Sequence, residues 1–243
     1  LNKDELALAA KVHYSFLPGH YANATVEMAV KMRPLNLLGG DYCSIYPIDE
    51  DCVLVCMCDA VGHNLASALF ASRINTFVLS QALQKRCPCH MIEALNEHLC
   101  QRLASAGMFT SFFSVFIDTN KRELIFAGAG HPSALYFHSQ NHHCEPLESV
   151  TTMLGITHPL PLSCTATCKP IQTGDKLILY TDGLIETRVD DGTLFGWKGL
   201  VEFTATHHCL DSHAFNDRLF ERTNCERSVE IRDDILLLTI TIL

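Results

Sequence analysis

The sequence has no apolar run long enough to cross a bilayer. Its longest, Ile235 to Leu243, is about half a membrane span. It also has no block of Lys or Arg: 27 acids stand against 18 bases, a formal net charge of -9. Such a chain suits neither nucleic acid nor an anionic membrane, so we expect neither as a partner. There is no signal-peptide pattern, because charges interrupt LNKDELALAAK where an apolar stretch would be required. The first residue is Leu1 rather than Met, which reads as a segment of a longer protein. No C-x2-C pair of the kind that builds a structural zinc site occurs. No Arg stands six positions after Cys87, Cys89 or Cys164, so the C-x5-R loop of a thiol-nucleophile phosphatase is missing.

What is there is a core-forming composition. Apolar residues make up 48% of 243 residues and charged ones 19%, which excludes disorder and fits one large domain with a short arm. Twelve cysteines are many. Without a signal peptide, reduced thiols in the cytoplasm are the expectation. Cys56 and Cys58, in VLVCMCDA, read as small core residues, and CPCH at 87–90 is the one candidate for zinc.

Periodicity predicts an N-terminal helix over 4–17. Leu6, Ala9, Ala10, His13, Phe16 and Leu17 share its apolar face, and Pro18 stops it. That stripe could dock on its own domain or pair with a copy of itself. Strands are predicted at 25–33, 40–48 and 52–58, the last buried on both faces. A helix follows over 65–84, with Leu65, Leu69, Ile74, Phe77, Val78 and Leu83 as its apolar face. A second helix covers 90–106, and three strands lie between 111 and 137. Residues 138–165 read as loop. A buried strand at 176–183, helices at 197–207 and 212–223, and a final strand entered through Asp233 and Asp234 complete the chain. The order predicts an α+β fold: two mainly antiparallel sheets flanked by helices.

Asp59, Asp182 and Asp233 each stand at the edge of a strongly apolar strand, and Asp41 stands beside another behind Gly39 and Gly40. Asp in such places is often turn punctuation. Four carboxylates converging at a sheet rim would repel one another and hold their protons more tightly. A divalent cation removes that cost, and oxygen ligands without His or Cys favour Mg2+ or Mn2+. Spacing alone does not establish convergence.

The motifs AAKVHYSFLP, LLGGDYCSIY, CDAVGHNLASAL, GMFTSFFSVFID, AGAGHPSALYF, GDKLILYTDGLIET and RDDILLL follow one another in order. In that order and spacing the chain resembles the SpoIIE/RsbU-type serine phosphatases, a bacterial branch of the metal-dependent type 2C protein phosphatases (PPM). The resemblance covers nearly the whole chain. It implies an α-β-β-α sandwich with a binuclear Mn2+ or Mg2+ centre. Asp59 would bridge the two ions. Asp41 and the backbone carbonyl of Ala60 would serve one ion, Asp182 and Asp233 the other. Asp234 would stay outside the set, and Gly183 would let the backbone turn tightly. A bridging water would attack phosphoserine or phosphothreonine directly. His63 could protonate the leaving oxygen or simply pack at a helix start. His131 and Glu186 match family positions that we read as structural.

The resemblance further implies residues 1–18 as a connector helix and 19–243 as the phosphatase domain. The substrate would be a phosphorylated partner, typically a STAS-type anti-sigma-factor antagonist. The domain would be the output of a signalling protein, switched by an upstream sensor or receiver domain, with a homodimer through the N-terminal helix as one option. Moving the helix behind Asp59 would be a way to switch it. Four departures from the pattern stand out: Ser44 where a second acid is frequent, Asn64 for a glycine, Gly128 for Asn, and Leu236 for Thr. They leave open a second reading, a catalytically weak or inactive phosphatase-fold module that docks onto a transcriptional regulator. A hydrolase of small phosphoesters is a third.

Overall fold

The computed structural model describes residues 3–84, 87–103, 106–161, 163–189, 192–223, 225 and 231–243. The chain divides into two compact units, the first made of Leu1–Leu17, Asn36–Pro132 and Glu148–Ile171. The second is Pro18–Leu35, Ser133–Leu147 and Gln172–Leu243.

The first unit opens with helix α1 (Lys3–Tyr14). Its sheet runs in the order β3 (Tyr42–Pro47), β4 (Cys52–Ala60), β5 (Thr110–Asp118), β6 (Glu123–Ala129) and β9 (Thr167–Pro170). Every neighbouring pair is antiparallel. Helices α2 (Leu65–Ala82) and α3 (Pro88–Leu103) pack on this sheet. Phe70, Ile74 and Val78 of α2 and Met91, Ile92, Leu95 and Leu99 of α3 share one core with Leu54, Cys56, Cys58, Phe112 and Phe116. Each large side chain buried this way contributes roughly 1.5–3 kcal/mol. Cys56 and Cys58 are the core residues their context predicts.

The second unit carries a sheet in the order β1 (His20–Ala22), β2 (Val26–Arg33), β11 (Ile235–Ile242), β10 (Lys176–Tyr180), β7 (Ala134–His138) and β8 (His143–Leu147). It too is antiparallel throughout. The one-turn helix α4 (Asp182–Ile185) leaves β10, and α5 (Gly196–His207) and α6 (Ser212–Arg222) follow. Leu200, Phe203, Phe215, Leu219 and Phe220 bury against Leu135, Phe137, Ile178, Tyr180, Ile235 and Leu237.

Two mainly antiparallel sheets flanked by helices are the predicted fold class. Three local expectations need correction. Residues 143–147 are the edge strand β8, not loop. An edge strand needs only one partner and buries little, so HCEPL shows no apolar alternation. Helix α1 ends at Tyr14, before Phe16 and Leu17, which still pack against the first unit's core. On α2, Leu65, Leu69 and Leu83 are exposed. The buried stripe is Ser67, Ala71, Ile74, Val78 and Ala82, because small residues let the helix approach the sheet closely. The predicted extension of α3 to 106 crosses 104 and 105, and the connector includes 1 and 2; these positions lie outside the described residues.

Helix α1 docks within its own unit. Ala10 and Leu38 form a small cluster with Ala68 of α2, joined by Leu6, Ala9 and Tyr14. No helix among the described residues is long and apolar enough to cross a membrane.

Candidate metal centre

In the first unit, β3 and β4 pair in a register that sets Tyr42 opposite Cys58. Continued by one residue, that register sets Asp41 opposite Asp59, and opposed residues of an antiparallel pair share a face. The Ala60 N–H donates to the Gly40 carbonyl at 3.4 Å, so the ladder persists past both acids. Asp41 is 2% exposed, while Asp59 is half-buried. Burial pushes the Cys58 thiol well up, although a Thr110 hydrogen bond opposes it; the charges of Asp41 and Asp59 add to the rise.

Gly40 is there because nothing larger fits. A Cβ on it would lie 2.5 Å from the Ala60 carbonyl oxygen and 2.9 Å from that of Gly62. The Ala60 carbonyl therefore sits against the glycine that precedes Asp41. Asp59 is fixed from behind: its own carbonyl accepts the Thr110 hydroxyl at 2.8 Å. Gly62 takes the left-handed turn at φ +88° that leads into α2.

Asn64, which stands where the family has a glycine, caps the start of α2. Its backbone is extended, at φ -132° and ψ -175°, not left-handed. Its side chain accepts from the N–H groups of Ala66 and Ser67, while Ser67 Oγ accepts the Asn64 N–H. That reciprocal capping box satisfies donors that a helix start otherwise leaves unpaired. The N-x-x-S spacing was readable as a cap signal. His63, just before it, is exposed, which removes the packing role; its carbonyl accepts the Asn36 side-chain amide. Further along α2, Asn75 Oδ1 accepts the hydroxyls of Tyr42 at 2.8 Å and Tyr46 at 2.9 Å. This bond ties the middle of α2 to the strand that follows Asp41. No sequence pattern announced it.

In the second unit, β10 and β11 bring Asp182 and Asp233 into electrostatic contact. Thr181 N–H donates to the Leu236 carbonyl, and Leu236 N–H donates to Thr181 Oγ1 at 2.9 Å. That reciprocal pair closes β10 onto β11 immediately before Asp182. Burial raises the Asp182 carboxyl above the ordinary range, and the neighbouring charges of Asp233 and Glu186 raise it further. Glu186 itself is exposed, and its N–H closes the turn onto the Asp182 carbonyl. Gly183 is helical, so it is not required by a special turn. A Cβ on it would overlap the Asp234 carbonyl oxygen. Asp234 is buried and accepts the Leu35 N–H at 2.7 Å.

The remaining matched positions behave as scaffolding. His131 is buried, its Nδ1 lies 2.7 Å from Ser111 Oγ, and its N–H donates to Ser149 Oγ. Gly128 leaves no room for the family's Asn, since a Cβ there would meet Ser149 Oγ and the Phe113 ring. Ser44 lies buried in β3 opposite Cys56.

The donor chemistry fits a hard divalent cation. Asp41 lies opposite Asp59 in the continued β3–β4 register of one unit, and Asp182 is crowded by Asp233 in the other. Like-charge crowding of this kind is what a cation relieves. Among the described residues, no group of three or more His, Cys, Asp or Glu is gathered as a metal cage, at CPCH or elsewhere.

Known proteins resemble this chain in sequence and in fold. The sequence profile of the family described as Stage II sporulation protein E (SpoIIE) matches residues 49–243. Asp59, Asp182 and Asp233 fall inside that span and Asp41 lies before it. Phosphoserine phosphatase RsbU of Bacillus subtilis is 22% identical over 239 residues, covering 98% of this chain and 70% of RsbU. The SiaA-PP2C domain of Pseudomonas aeruginosa superposes with a TM-score of 0.79 at 20% identity, covering 98% of this chain and 96% of that one. The catalytic domain of the serine/threonine phosphatase PstP, solved with 2 manganese ions, gives 0.65 at 13% identity, covering 90% and 99%. The chain belongs to the SpoIIE family and has the fold of the PP2C phosphatase domains.

Proposed function

We propose that this chain hydrolyses phosphoserine or phosphothreonine on a regulatory phosphoprotein, as the cytoplasmic output domain of a signalling protein. The observation that carries the reading is the pairing of acids at the strand ends: buried Asp41 opposite half-buried Asp59, and half-buried Asp182 beside Asp233. The proposed ligands of two Mn2+ or Mg2+ ions are Asp41, Asp59, the Ala60 carbonyl, Asp182 and Asp233, with residues 19–243 as the catalytic domain and 1–18 as its connector. Bound ions of this kind acidify water and offset phosphoryl charge. Asp59 and Asp41 are held by the β3–β4 ladder, so their carboxylates need little reorganisation to receive an ion. His63, exposed ahead of α2, donates a proton to the leaving serine oxygen as water adds to phosphorus and the P–O bond breaks. The products are the free hydroxyl side chain and inorganic phosphate.

A phosphorylated STAS-type anti-sigma-factor antagonist is the proposed partner, supported by the resemblance and by the RsbU relative. Upstream control would come from a sensor or receiver domain, and the exposed Leu8 and Val12 of α1 leave a face for a second copy.

The test is phosphate release from a phosphoserine peptide, with and without Mn2+, against Asp59→Asn. Release that needs Mn2+ and disappears in the variant supports the reading. If nothing is released, Mn2+ calorimetry separates the outcomes. Binding without turnover points to a switched-off enzyme, and no binding points to a docking module.

A further inference from the structure

The phosphatase reading leaves the cysteines unused, and two of them stand in an unusual relation. Cys89 begins α3 and is 5% exposed. Cys164 is half-buried in the segment that leads into β9. They are 75 positions apart, yet their sulfurs lie 2.7 Å from one another. A disulfide bond is 2.03–2.05 Å long, so closure needs a shift well under the size of an atom.

The surroundings favour closure. Helix α3 already grips the same segment one turn and more away. Asn96 Nδ2 donates to the Thr157 carbonyl, and Asn96 Oδ1 accepts the Gly155 N–H, both at 2.9 Å. A bond from Cys89 to Cys164 would add a second clasp between elements that are already registered. A cleft of about 600 Å³, lined by His90, Glu93, His158 and Cys164 among others, gives small reactants a route to Cys164.

We propose that Cys89 and Cys164 form a reversible intramolecular disulfide, with a hydroperoxide as oxidant and a dithiol as reductant. Cys164, the more accessible, attacks the peroxide O–O bond as its thiolate. It becomes a sulfenic acid, and the other peroxide oxygen leaves as water. The Cys89 sulfur then attacks the sulfenic sulfur, and a second water leaves. Two thiols and one H2O2 give one disulfide and two waters: the sulfurs lose two electrons and the peroxide gains them. A dithiol reverses the bond by two exchange steps. Burial raises both thiols, and nearby Cys87 and Glu93 add to the rise, while the contact with Cys164 opposes it at Cys89.

The test exposes the folded chain to hydrogen peroxide and maps its peptides without reduction. The expected result is one cross-linked pair containing Cys89 and Cys164, absent in Cys89→Ser and in Cys164→Ser. The urea midpoint should rise on oxidation of the wild type, return on reduction, and stay fixed in Cys164→Ser. Oxidation of exposed Cys168 and Cys209 reports that the reagent has acted. Three results would overturn the proposal: the pair remains reduced while those two are oxidised, Cys164 couples to Cys87 instead, or native mass spectrometry finds one zinc that is lost in both variants.

Discussion

Gly40→Ala is the sharpest probe of the first acid pair. The new Cβ would sit 2.5 Å from the Ala60 carbonyl oxygen, 2.9 Å from the Gly62 carbonyl oxygen and 3.2 Å from Ser67 Cβ. Carbon–oxygen contacts normally stop at about 3.3 Å, so the first two must open by several tenths of an ångström. Neither neighbour is a flexible side-chain end. Ala60 pairs with Thr110 in β5, and Val61 N–H is held by the Phe109 carbonyl at 3.1 Å. Overpacking against such backbone costs about 1–3 kcal/mol. The displaced atoms are those proposed to face the ion, and a shift approaching 1 Å in a reacting array costs about 10²-fold. We expect a lower urea midpoint with an unchanged denaturant slope, weaker Mn2+ binding, and kcat/KM down by about 10²-fold even at saturating Mn2+. Gly19→Ala is the control, because a Cβ there meets nothing within 4 Å. Gly40→Ala with full turnover and unchanged Mn2+ affinity would remove the Ala60 carbonyl from the ligand set.

Lys176 is 1% exposed, donates to the Leu210 carbonyl and Thr241 Oγ1, and is lowered by burial from 10.5 to about 8. The unfolded chain binds this proton more tightly, so stability should rise as pH rises from about 8 toward 10, by at most about 3 kcal/mol, and Lys176→Met should lack that rise in urea unfolding. Asn75→Ala removes the acceptor shared by Tyr42 and Tyr46, whose hydroxyls remain 2.9 Å apart; unfolding should show a loss of about 1–3 kcal/mol, largely cancelled in a Tyr42→Phe background. Asp182 has a raised folded carboxyl, so the native state holds the proton longer than the unfolded one. Its stabilisation is therefore lost as pH climbs out of the carboxylate range, and Asp182→Asn should make the ion-free protein more stable at neutral pH while abolishing its stabilisation by Mn2+, both read by thermal unfolding.

The sheets were legible wherever a strand is buried along its length. CVLVCMC and ILLLTITI show continuous apolar runs, and both are central strands. The short edge strands β1, β8 and β9 were not, because one partner and a solvated face leave no pattern in the residues. Helix α2 was legible in extent but not in orientation. Its apolar residues surround the axis, so close approach through Ser67 and Ala71 decides which stripe goes inside. The acids were legible as strand-edge residues. Their pairing was not, since register and a reciprocal Thr181–Leu236 bond depend on tertiary contacts. Gly183 read as a turn former, but like Gly40 it is required by a carbonyl pressed against it.

The distribution of strain bears on whether the chain is an enzyme or a docking module. A buried carboxylate near a like charge destabilises a fold, and so does backbone packed too tightly for a methyl group. Here both occur beside the same residues. Gly40 precedes Asp41 and presses on Ala60, while Gly183 follows Asp182 and presses on Asp234. A module that only docks would gain stability by losing Asp182, with nothing to oppose the change. An ion bound at 100 times its Kd contributes about 2.7 kcal/mol to the folded state, enough to offset such a cost. Ser44, Gly128 and Leu236 depart from the family pattern, yet none of them is one of the paired acids. The departures fall where packing can absorb them, and all four acids proposed as ligands are retained, which favours the enzyme over the docking module.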